Sequence, residues 1–305
     1  NIINGEEVNF CKLASFCFNG GISMKRLRKI ISVVLSISML SILGGCGKSN
    51  STGSSDNGEK VLKVGMECAY APFNWTQTDD SNGAIKIDGN NEYAYGYDVM
   101  MAKKIADKLG YKLQINKMEW DGLCTGVSSG KIDVSIAGQS ITPERLESVD
   151  FSDVYYKADI VALTKKGTAY ENAKNVEDLK GAACTSQLNT VWYDMLDQIP
   201  EAKKQAAIDT VPAIIVALNS GKVDVVTTDK PTAMAAAYSN KDLVLLDFKD
   251  GKGFNASDED VNMGIAIKKG NTELKEKINA ALAEISDEDR AKMMDEAIKC
   301  QPLSE

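Results

Sequence analysis

Ser129 to Arg145 reads SGKIDVSIAGQSITPER, and this stretch predicts the end of a helix, a buried strand and a second helix start in immediate succession. Gly130 suits the left-handed position that ends many helices. The residues after it alternate between apolar and polar or small, as in a short strand: Ile132, Val134 and Ile136. Thr142-Pro143-Glu144 then has an N-cap residue, a proline at the first helical position and an acid in the first turn.

Ser140 and Arg145 therefore follow the carboxyl end of a strand, where open α/β sheets bind their ligands. An arginine at such a place can hold a carboxylate with two parallel hydrogen bonds. A similar phrase, SGKVDVVTTD, recurs at Ser220–Asp229. Two similar α/β units with polar groups at their strand ends predict two lobes that face each other across a cleft. A common helix-to-strand turn that arose twice by chance is the alternative.

Composition limits the classes of function. The 305 residues carry a net charge of −8, with 44% hydrophobic and 26% charged residues, which is typical of one large or two medium globular domains. The sequence contains no histidine, which excludes Ser-His-Asp and Cys-His catalysis and most zinc sites. Its seven cysteines show no C-x-x-C spacing, so we expect no metal site and no cofactor. No basic patch interleaves with aromatic residues, which argues against nucleic acid as a partner.

The first 60 residues are typical of an exported and anchored protein. Residues 1–23 do not begin with Met and are interpreted as an upstream extension, with Met24 as the true start. A basic segment, an apolar segment over 30–43 and Leu43-Gly44-Gly45-Cys46 follow, and the last resembles a bacterial lipobox. We therefore expect a lipoprotein signal peptide over 24–45, lipidation of Cys46 and a flexible Gly/Ser/Asn-rich tether over 46–60. An ordinary signal peptide or an anchor helix is the alternative.

Several polar and aromatic residues follow predicted strand ends. Glu67, Tyr70 and Phe73 come after the first strand, Val61–Met66, where they either line a pocket or pack locally around a proline turn. Trp120 also follows a strand end, where it either covers the apolar part of a ligand or packs in the core.

Three further local predictions concern helix starts and a loop. Asn189 or Thr190 can cap a helix over 190–199 and leave free N–H donors, which form an anion site. Asp98 is expected to cap a helix that runs to Leu109. Residues 76–92 are polar and rich in turn residues, which predicts a surface excursion.

From about Val61 to its end, the chain resembles the family 3 extracellular solute-binding proteins, the amino-acid receptors of ABC importers. The motifs that carry this resemblance are Glu67-x-x-Tyr70-Ala71-Pro72-Phe73, Gly96-Tyr97-Asp98, Trp120-Asp121-Gly122-Leu123, Ser129-Gly130-Lys131-Ile132-Asp133, Ser140-Ile141-Thr142-Pro143-Glu144-Arg145 and Asp150-Phe151-Ser152-Asp153-x-Tyr155-Tyr156. The resemblance implies a type II periplasmic-binding-protein-like α/β fold, in which two open mixed sheets are joined by two hinge strands with a ligand cleft between them. The implied first lobe is 61–158 plus 264–305, and the implied second lobe is 159–263.

The resemblance also implies a role for each candidate residue. Arg145 would pair with the α-carboxylate of an amino acid, assisted by the backbone and hydroxyl of Ser140. The Gly138 carbonyl would accept from the α-ammonium, with Asp229 as its counter-charge. Trp120, Tyr70 and Phe73 would wall the side-chain pocket. Where the family usually has Gly-Ser/Thr-Thr at the helix start of the second lobe, this chain has Ser186-Gln187-Leu188-Asn189-Thr190.

The expected function is a non-enzymatic receptor on the outer face of the cytoplasmic membrane, which delivers a polar amino acid to an ABC importer permease. Glu67 favours a basic or amide side chain on that amino acid. The alternative is an enzyme on the same scaffold, such as a dehydratase, with Glu67 or Asp229 as general acid. Incubation with the ligand separates the two, because a receptor returns it unchanged.

Overall fold

The computed structural model describes residues 59–302, which belong to one compact unit of the chain. The expected upstream extension, the signal peptide, the lipidated Cys46 and the tether up to residue 58 lie outside the described residues. Within 59–302, no helix combines the length and the apolar character that crossing a membrane requires.

The strands, in chain order, are β1 Val61–Met66, β2 Ala69–Tyr70, β3 Asn74–Gln77, β4 Ile85–Lys86, β5 Tyr93–Tyr95, β6 Lys112–Lys117, β7 Val134–Ser135, β8 Val149–Phe151, β9 Tyr156–Lys157, β10 Ile160–Lys165, β11 Ala183–Thr185, β12 Lys203–Lys204, β13 Val225–Asp229, β14 Leu243–Leu246, β15 Asn262–Met263 and β16 Ala266–Lys268. The α-helices are α1 Tyr97–Leu109, α2 Leu123–Ser129, α3 Pro143–Ser148, α4 Val191–Asp194, α5 Val211–Asn219, α6 Lys230–Ser239, α7 Asp258–Val261, α8 Thr272–Ala283 and α9 Asp287–Cys300. Short 3-10 turns occupy Ser81–Gly83, Trp120–Gly122, Glu177–Leu179 and Met195–Gln198.

Two mixed sheets organise this part of the chain. In the first sheet, with the order β6-β1-β7-β16-β8, β1 runs parallel to β6 and β7, whereas β16 is antiparallel to β7 and β8. The second sheet has the order β12-β11-β13-β10-β14 and is likewise mixed. Below, the first and second lobes are the parts of the chain built around these two sheets.

Two crossover strands connect the lobes. β9 and β15 pair antiparallel as a separate two-stranded sheet, with Tyr156 opposite Met263. The predicted fold class, two mixed sheets joined by two hinge strands, is therefore confirmed. The predicted lobe boundaries at 158/159 and 263/264 stay predictions, and β9 and β15 lie beside them. In addition, α9 of the first lobe packs against α6 of the second.

The repeated sequence phrase forms the same local structure in both lobes. Gly130, directly after α2, has a φ of 79°, and Gly221, just beyond α5, has a φ of 74°. Glycine adopts this left-handed conformation without a steric penalty, so each helix can end there and the chain can turn into a buried strand. β7 and β13 are those strands.

One local prediction was wrong. Asp98 does not cap α1: Gly96 occupies the N-cap position, and Asp98 lies inside the first turn with its side chain fully buried. Its carboxylate accepts hydrogen bonds from two other buried side chains, which outweighs the local preference for a cap. The predicted surface excursion over 76–92 is exposed or half-buried except at Ala84 and Ile87, and it contributes to a small antiparallel sheet with the order β2-β3-β5-β4.

Candidate functional site

The loop Gly138–Ile141 follows β7 and lies between the two crossover strands. Gly138 has a φ of 64°, and a Cβ atom there would come within 2.6 Å of the Tyr70 ring. Glycine is therefore required at this position, both by the backbone conformation and by the close approach of Tyr70. The far end of the loop is tied to the second crossover, since the Ile141 N–H donates to the Asn262 carbonyl at 2.9 Å.

Arg145 reaches from the first lobe to the second. Thr142 caps α3 as predicted, and its hydroxyl accepts from the Arg145 N–H at 3.3 Å. The guanidinium donates to the Ser140 carbonyl at 2.9 Å and to the Asn189 carbonyl of the second lobe at 3.0 Å. Its central carbon lies 5.3 Å from the centre of the Trp120 ring, a cation–π contact. Burial lowers the pKa of Arg145, but an arginine stays protonated in proteins.

Asp229 is a fully buried acid at the end of β13. One carboxylate oxygen accepts from the Thr232 N–H at 2.8 Å and so caps α6. The other oxygen accepts from the Tyr70 hydroxyl, which belongs to the first lobe, and from the Thr228 hydroxyl at 3.3 Å. Burial raises the pKa of Asp229 above its ordinary value. Tyr70 therefore connects this acid with the loop that begins at Gly138.

Glu67 is a second buried acid, with 5% of its surface exposed. One of its oxygens accepts from the Gln187 side-chain amide of the second lobe at 3.2 Å. The other oxygen is buried and has no hydrogen-bond partner among the described residues. Burial raises the pKa of Glu67 to about 7, which the bond from Gln187 only partly offsets. An unpaired buried carboxylate oxygen is costly unless a donor meets it or a proton neutralises it.

The remaining predicted residues behave differently from one another. Phe73 is fully buried and stacks on Tyr70 with ring centres 4.8 Å apart, so it supports Tyr70 from behind. Ser140 meets Arg145 through its carbonyl, while its hydroxyl donates to the Asp260 carbonyl at 2.9 Å. The expected assistance of the Ser140 hydroxyl in binding the ligand carboxylate stays a prediction.

The segment at Asn189 and Thr190 leads into α4. The predicted helix over 190–199 corresponds to α4, Val191–Asp194, which continues as a 3-10 turn over Met195–Gln198. Thr190 occupies the N-cap position of α4, but its hydroxyl donates to the Gln187 carbonyl at 2.7 Å instead of accepting from the helix. Asn189 has a φ of 55°, and its side-chain amide donates to Asp121 at 2.8 Å. The anion site expected at this helix start stays a prediction.

A crevice of about 980 Å³ opens between the lobes beside these residues. Four of the ten predicted ligand residues line it: Trp120, Arg145, Asn189 and Thr190. The other six do not line it: Glu67, Tyr70, Phe73, Gly138, Ser140 and Asp229. Four of these six residues instead form the side-chain or carbonyl hydrogen bonds described above: Glu67, Tyr70, Ser140 and Asp229.

Sequence reasoning missed the roles of Gln187, Asp98 and Tyr155. Gln187 was noted only as a departure from the family pattern, yet it meets Glu67 across the lobe interface. Asp98 and Tyr155 stood in quoted motifs, but local pattern gave no sign that their side chains meet at 2.7 Å. In the described part of the chain, no group of three or more Cys, Asp or Glu side chains converges as a metal site would require. Cys68, Cys124, Cys184 and Cys300 are free thiols.

Comparison with known proteins identifies close relatives of this architecture. The sequence profile of the family described as bacterial extracellular solute-binding proteins, family 3, matches residues 62–297. The arginine-binding extracellular protein ArtP of Bacillus subtilis is 29% identical over 263 residues, covering 86% of this chain and 94% of that protein. The glutamine-binding protein GlnH of an ABC transporter in the same organism is 30% identical over 274 residues, covering 87% and 94%.

A solved structure supports the same relationship. The crystal structure of an amino-acid ABC transporter substrate-binding protein from Streptococcus pneumoniae, bound to L-arginine, superposes with a TM-score of 0.68. That protein is 31% identical, and the match covers 78% of this chain and 94% of the other.

Proposed function

The chain belongs to the bacterial extracellular solute-binding proteins of family 3, and from this membership we propose that it binds one free amino acid between its lobes and presents it to an ABC-type importer. Such receptors work outside the cytoplasm. The single observation that carries the proposal is Arg145, a cation of the first lobe that reaches the backbone of the second lobe beside an open crevice.

We assign the α-carboxylate of the ligand to Arg145. Its guanidinium presents a planar fork of donors, and the bonds to the Ser140 and Asn189 carbonyls use one donor on each terminal nitrogen. A carboxylate in the crevice could take the remaining donors in a bidentate arrangement, which matches its geometry better than a lysine would. Trp120 packs against the guanidinium and limits its orientation.

We assign the α-ammonium to Asp229, with the Gly138 carbonyl as a second acceptor. Asp229 is a fully buried acid, and its pKa is raised by burial. A bound ammonium would compensate that burial, since an unpaired charge in a low-dielectric site is unfavourable. Tyr70, which already donates to Asp229, would wall the same pocket.

The class of side chain follows from Glu67. Its buried, unpartnered oxygen can accept a hydrogen bond, so a ligand that ends in N–H donors would satisfy it. A cationic end would also remove the penalty that raises the pKa of Glu67. We therefore propose a basic or amide amino acid, with L-arginine as the first candidate.

Calorimetric titration of the purified protein with L-arginine, L-glutamine, L-glutamate and L-leucine tests this function. We expect tight one-to-one binding of L-arginine or L-glutamine and much weaker binding of L-glutamate and L-leucine, because the latter two bring an acid or no donor to Glu67. Recovery of the bound amino acid unchanged separates a receptor from the dehydratase alternative. Absence of binding by every amino acid tested, or conversion of the ligand, would overturn the proposal.

Lipid anchorage at Cys46 forms the second part of the proposal. The basic and apolar segments before it and the Gly/Ser/Asn-rich segment after it support this placement. A lipid chain would hold the receptor at the outer face of the cytoplasmic membrane, close to the permease.

A further inference from the structure

We propose that Tyr155 and Asp98 form a positioning pair, which holds the ligand-bearing loop Gly138–Ile141 against the first crossover strand and so sets its geometry for binding. This inference rests on the proposed function, because it concerns the loop that carries the Gly138 and Ser140 carbonyls. Neither side chain is assigned to touch the ligand.

Three consecutive hydrogen bonds define the pair. The Gly138 N–H donates to the Tyr155 hydroxyl oxygen at 2.8 Å, and that hydroxyl donates to Asp98 at 2.7 Å. The other oxygen of Asp98 accepts from the Asn74 side-chain amide at 2.8 Å. Asp98 and Asn74 are fully buried and Tyr155 is 1% exposed, so water cannot replace these bonds.

The donor and the acceptor of each of these three hydrogen bonds are determined by chemistry. The side-chain carbonyl oxygen of Asn74 accepts from the Cys68 N–H at 2.7 Å, so the side-chain nitrogen of Asn74 must face Asp98. The Gly138 N–H can only donate, so the Tyr155 oxygen must accept and its proton must go to Asp98. Phenylalanine at 155 would leave the Gly138 N–H without its partner and remove a donor from Asp98.

Tyr155 is itself rigidly placed beside the hinge. It directly precedes β9, and its carbonyl accepts from the Tyr97 hydroxyl at 3.0 Å and from Arg290 at 2.6 Å. The opposite end of the loop is attached to the second crossover, where the Ile141 N–H donates to the Asn262 carbonyl at 2.9 Å. The loop is therefore held at each end by one of the two strands about which the lobes would rotate.

Loss of the Tyr155 hydroxyl should consequently act on binding and not only on stability. Gly138 has access to many backbone conformations, and its φ of 64° is one among several that a freed glycine can adopt. A change there would displace its carbonyl and, two residues later, the Ser140 carbonyl that holds Arg145. Both poles of the proposed ligand would lose alignment.

Tyr155→Phe, compared with Tyr97→Phe, tests the inference. Tyr97 is a matched control, because it is equally buried, stacks on Tyr155 at 6.0 Å and makes one hydrogen bond that Arg290 duplicates. We expect Tyr155→Phe to weaken L-arginine binding about tenfold, as the loss of a buried partner does, and Tyr97→Phe to leave it within about twofold. The Gly138 amide resonance should shift and lose protection from hydrogen exchange in Tyr155→Phe alone.

If both variants fold and bind L-arginine with equal affinity, the inference is overturned. Removing the hydroxyl of a purely structural tyrosine would lower the stability of the protein without selectively weakening binding. If Tyr155→Phe does not fold, hydrogen exchange of the Gly138 amide in the wild-type protein decides, because rapid exchange there would contradict the buried bond. If the wild type binds no amino acid of the panel, the proposed function fails, whereas the Gly138 exchange measurement still tests the pair by itself.

Discussion

Glu67→Gln should change the pH dependence of both ligand binding and protein stability. Glu67 is 5% exposed, and burial raises its pKa from 4.5 to about 7. If L-arginine binds with its cation against Glu67, only the carboxylate form is competent. At about pH 5.5 roughly one molecule in 30 has this form, so the apparent affinity should be about 30-fold weaker than at about pH 8.

Proton release gives the same prediction a second readout. A cation beside Glu67 should return its pKa toward the ordinary range, so binding near pH 6 should release close to one proton from this group. Calorimetry in two buffers of different ionisation enthalpy measures the number of protons released on binding. Asp229 can add to the total, so the decisive quantity is the difference between wild type and Glu67→Gln. We expect the variant to release about one proton fewer and to lose most of the pH dependence.

The same residue predicts how stability changes with pH. In the unfolded chain the carboxyl is ionised above its ordinary pKa of 4.5, whereas the folded protein keeps the proton until about pH 7. Folding therefore takes up a proton in this window, and the free energy of unfolding should fall by about 3 kcal/mol as the pH rises through it, then stay level. Glu67→Gln should flatten this slope in urea unfolding. Equal slopes and equal proton release in both proteins would refute the reasoning.

Three further predictions concern the remaining charges and the anchor. Arg145→Ala should weaken amino-acid binding at least about a hundredfold, because it leaves the carboxylate without its cation (about 3–5 kcal/mol); near-normal affinity by calorimetry would contradict this. Asp229→Asn should keep the α6 cap, with the free energy of unfolding changed by less than about 2 kcal/mol, yet abolish binding; retained binding by calorimetry would exclude the ammonium assignment. Cys46→Ala should move the protein from the membrane fraction of the cells to the medium, and an unchanged distribution would argue against lipidation.

Local signals in the sequence were sufficient for the parts of the site that a few neighbouring residues determine. Gly130 and Gly221 end their helices because glycine adopts positive φ, and Thr142 caps α3 because its hydroxyl meets the Arg145 N–H three residues on. The alternation of apolar with polar or small residues from Ile132 to Ile136 predicted a buried strand, because alternate side chains of a strand point to the same face. These features depend on backbone preference and side-chain periodicity, which are properties of the chain itself.

Local signals misled where tertiary contacts were stronger. Asp98 has a favourable position for a helix cap, but the buried donors Asn74 and Tyr155 take its carboxylate instead. Thr190 occupies the N-cap position of α4 as predicted, but its hydroxyl bonds back to Gln187 instead of capping the helix. In each case a propensity of about 1 kcal/mol competes with several buried hydrogen bonds.

The sequence by itself determined the α/β class, the two lobes and the identity of the charged residues available for a zwitterion. Only the tertiary structure decided that Arg145 meets Asn189, that Glu67 meets Gln187 and that Tyr155 joins Gly138 to Asp98. Partners in these pairs lie far apart in the chain, and the spacing of residues carries no information about which ones the packing of two lobes brings together. The raised pKa of Glu67 also depends on the tertiary structure, because burial raises it only once the lobes exclude water from the carboxyl group.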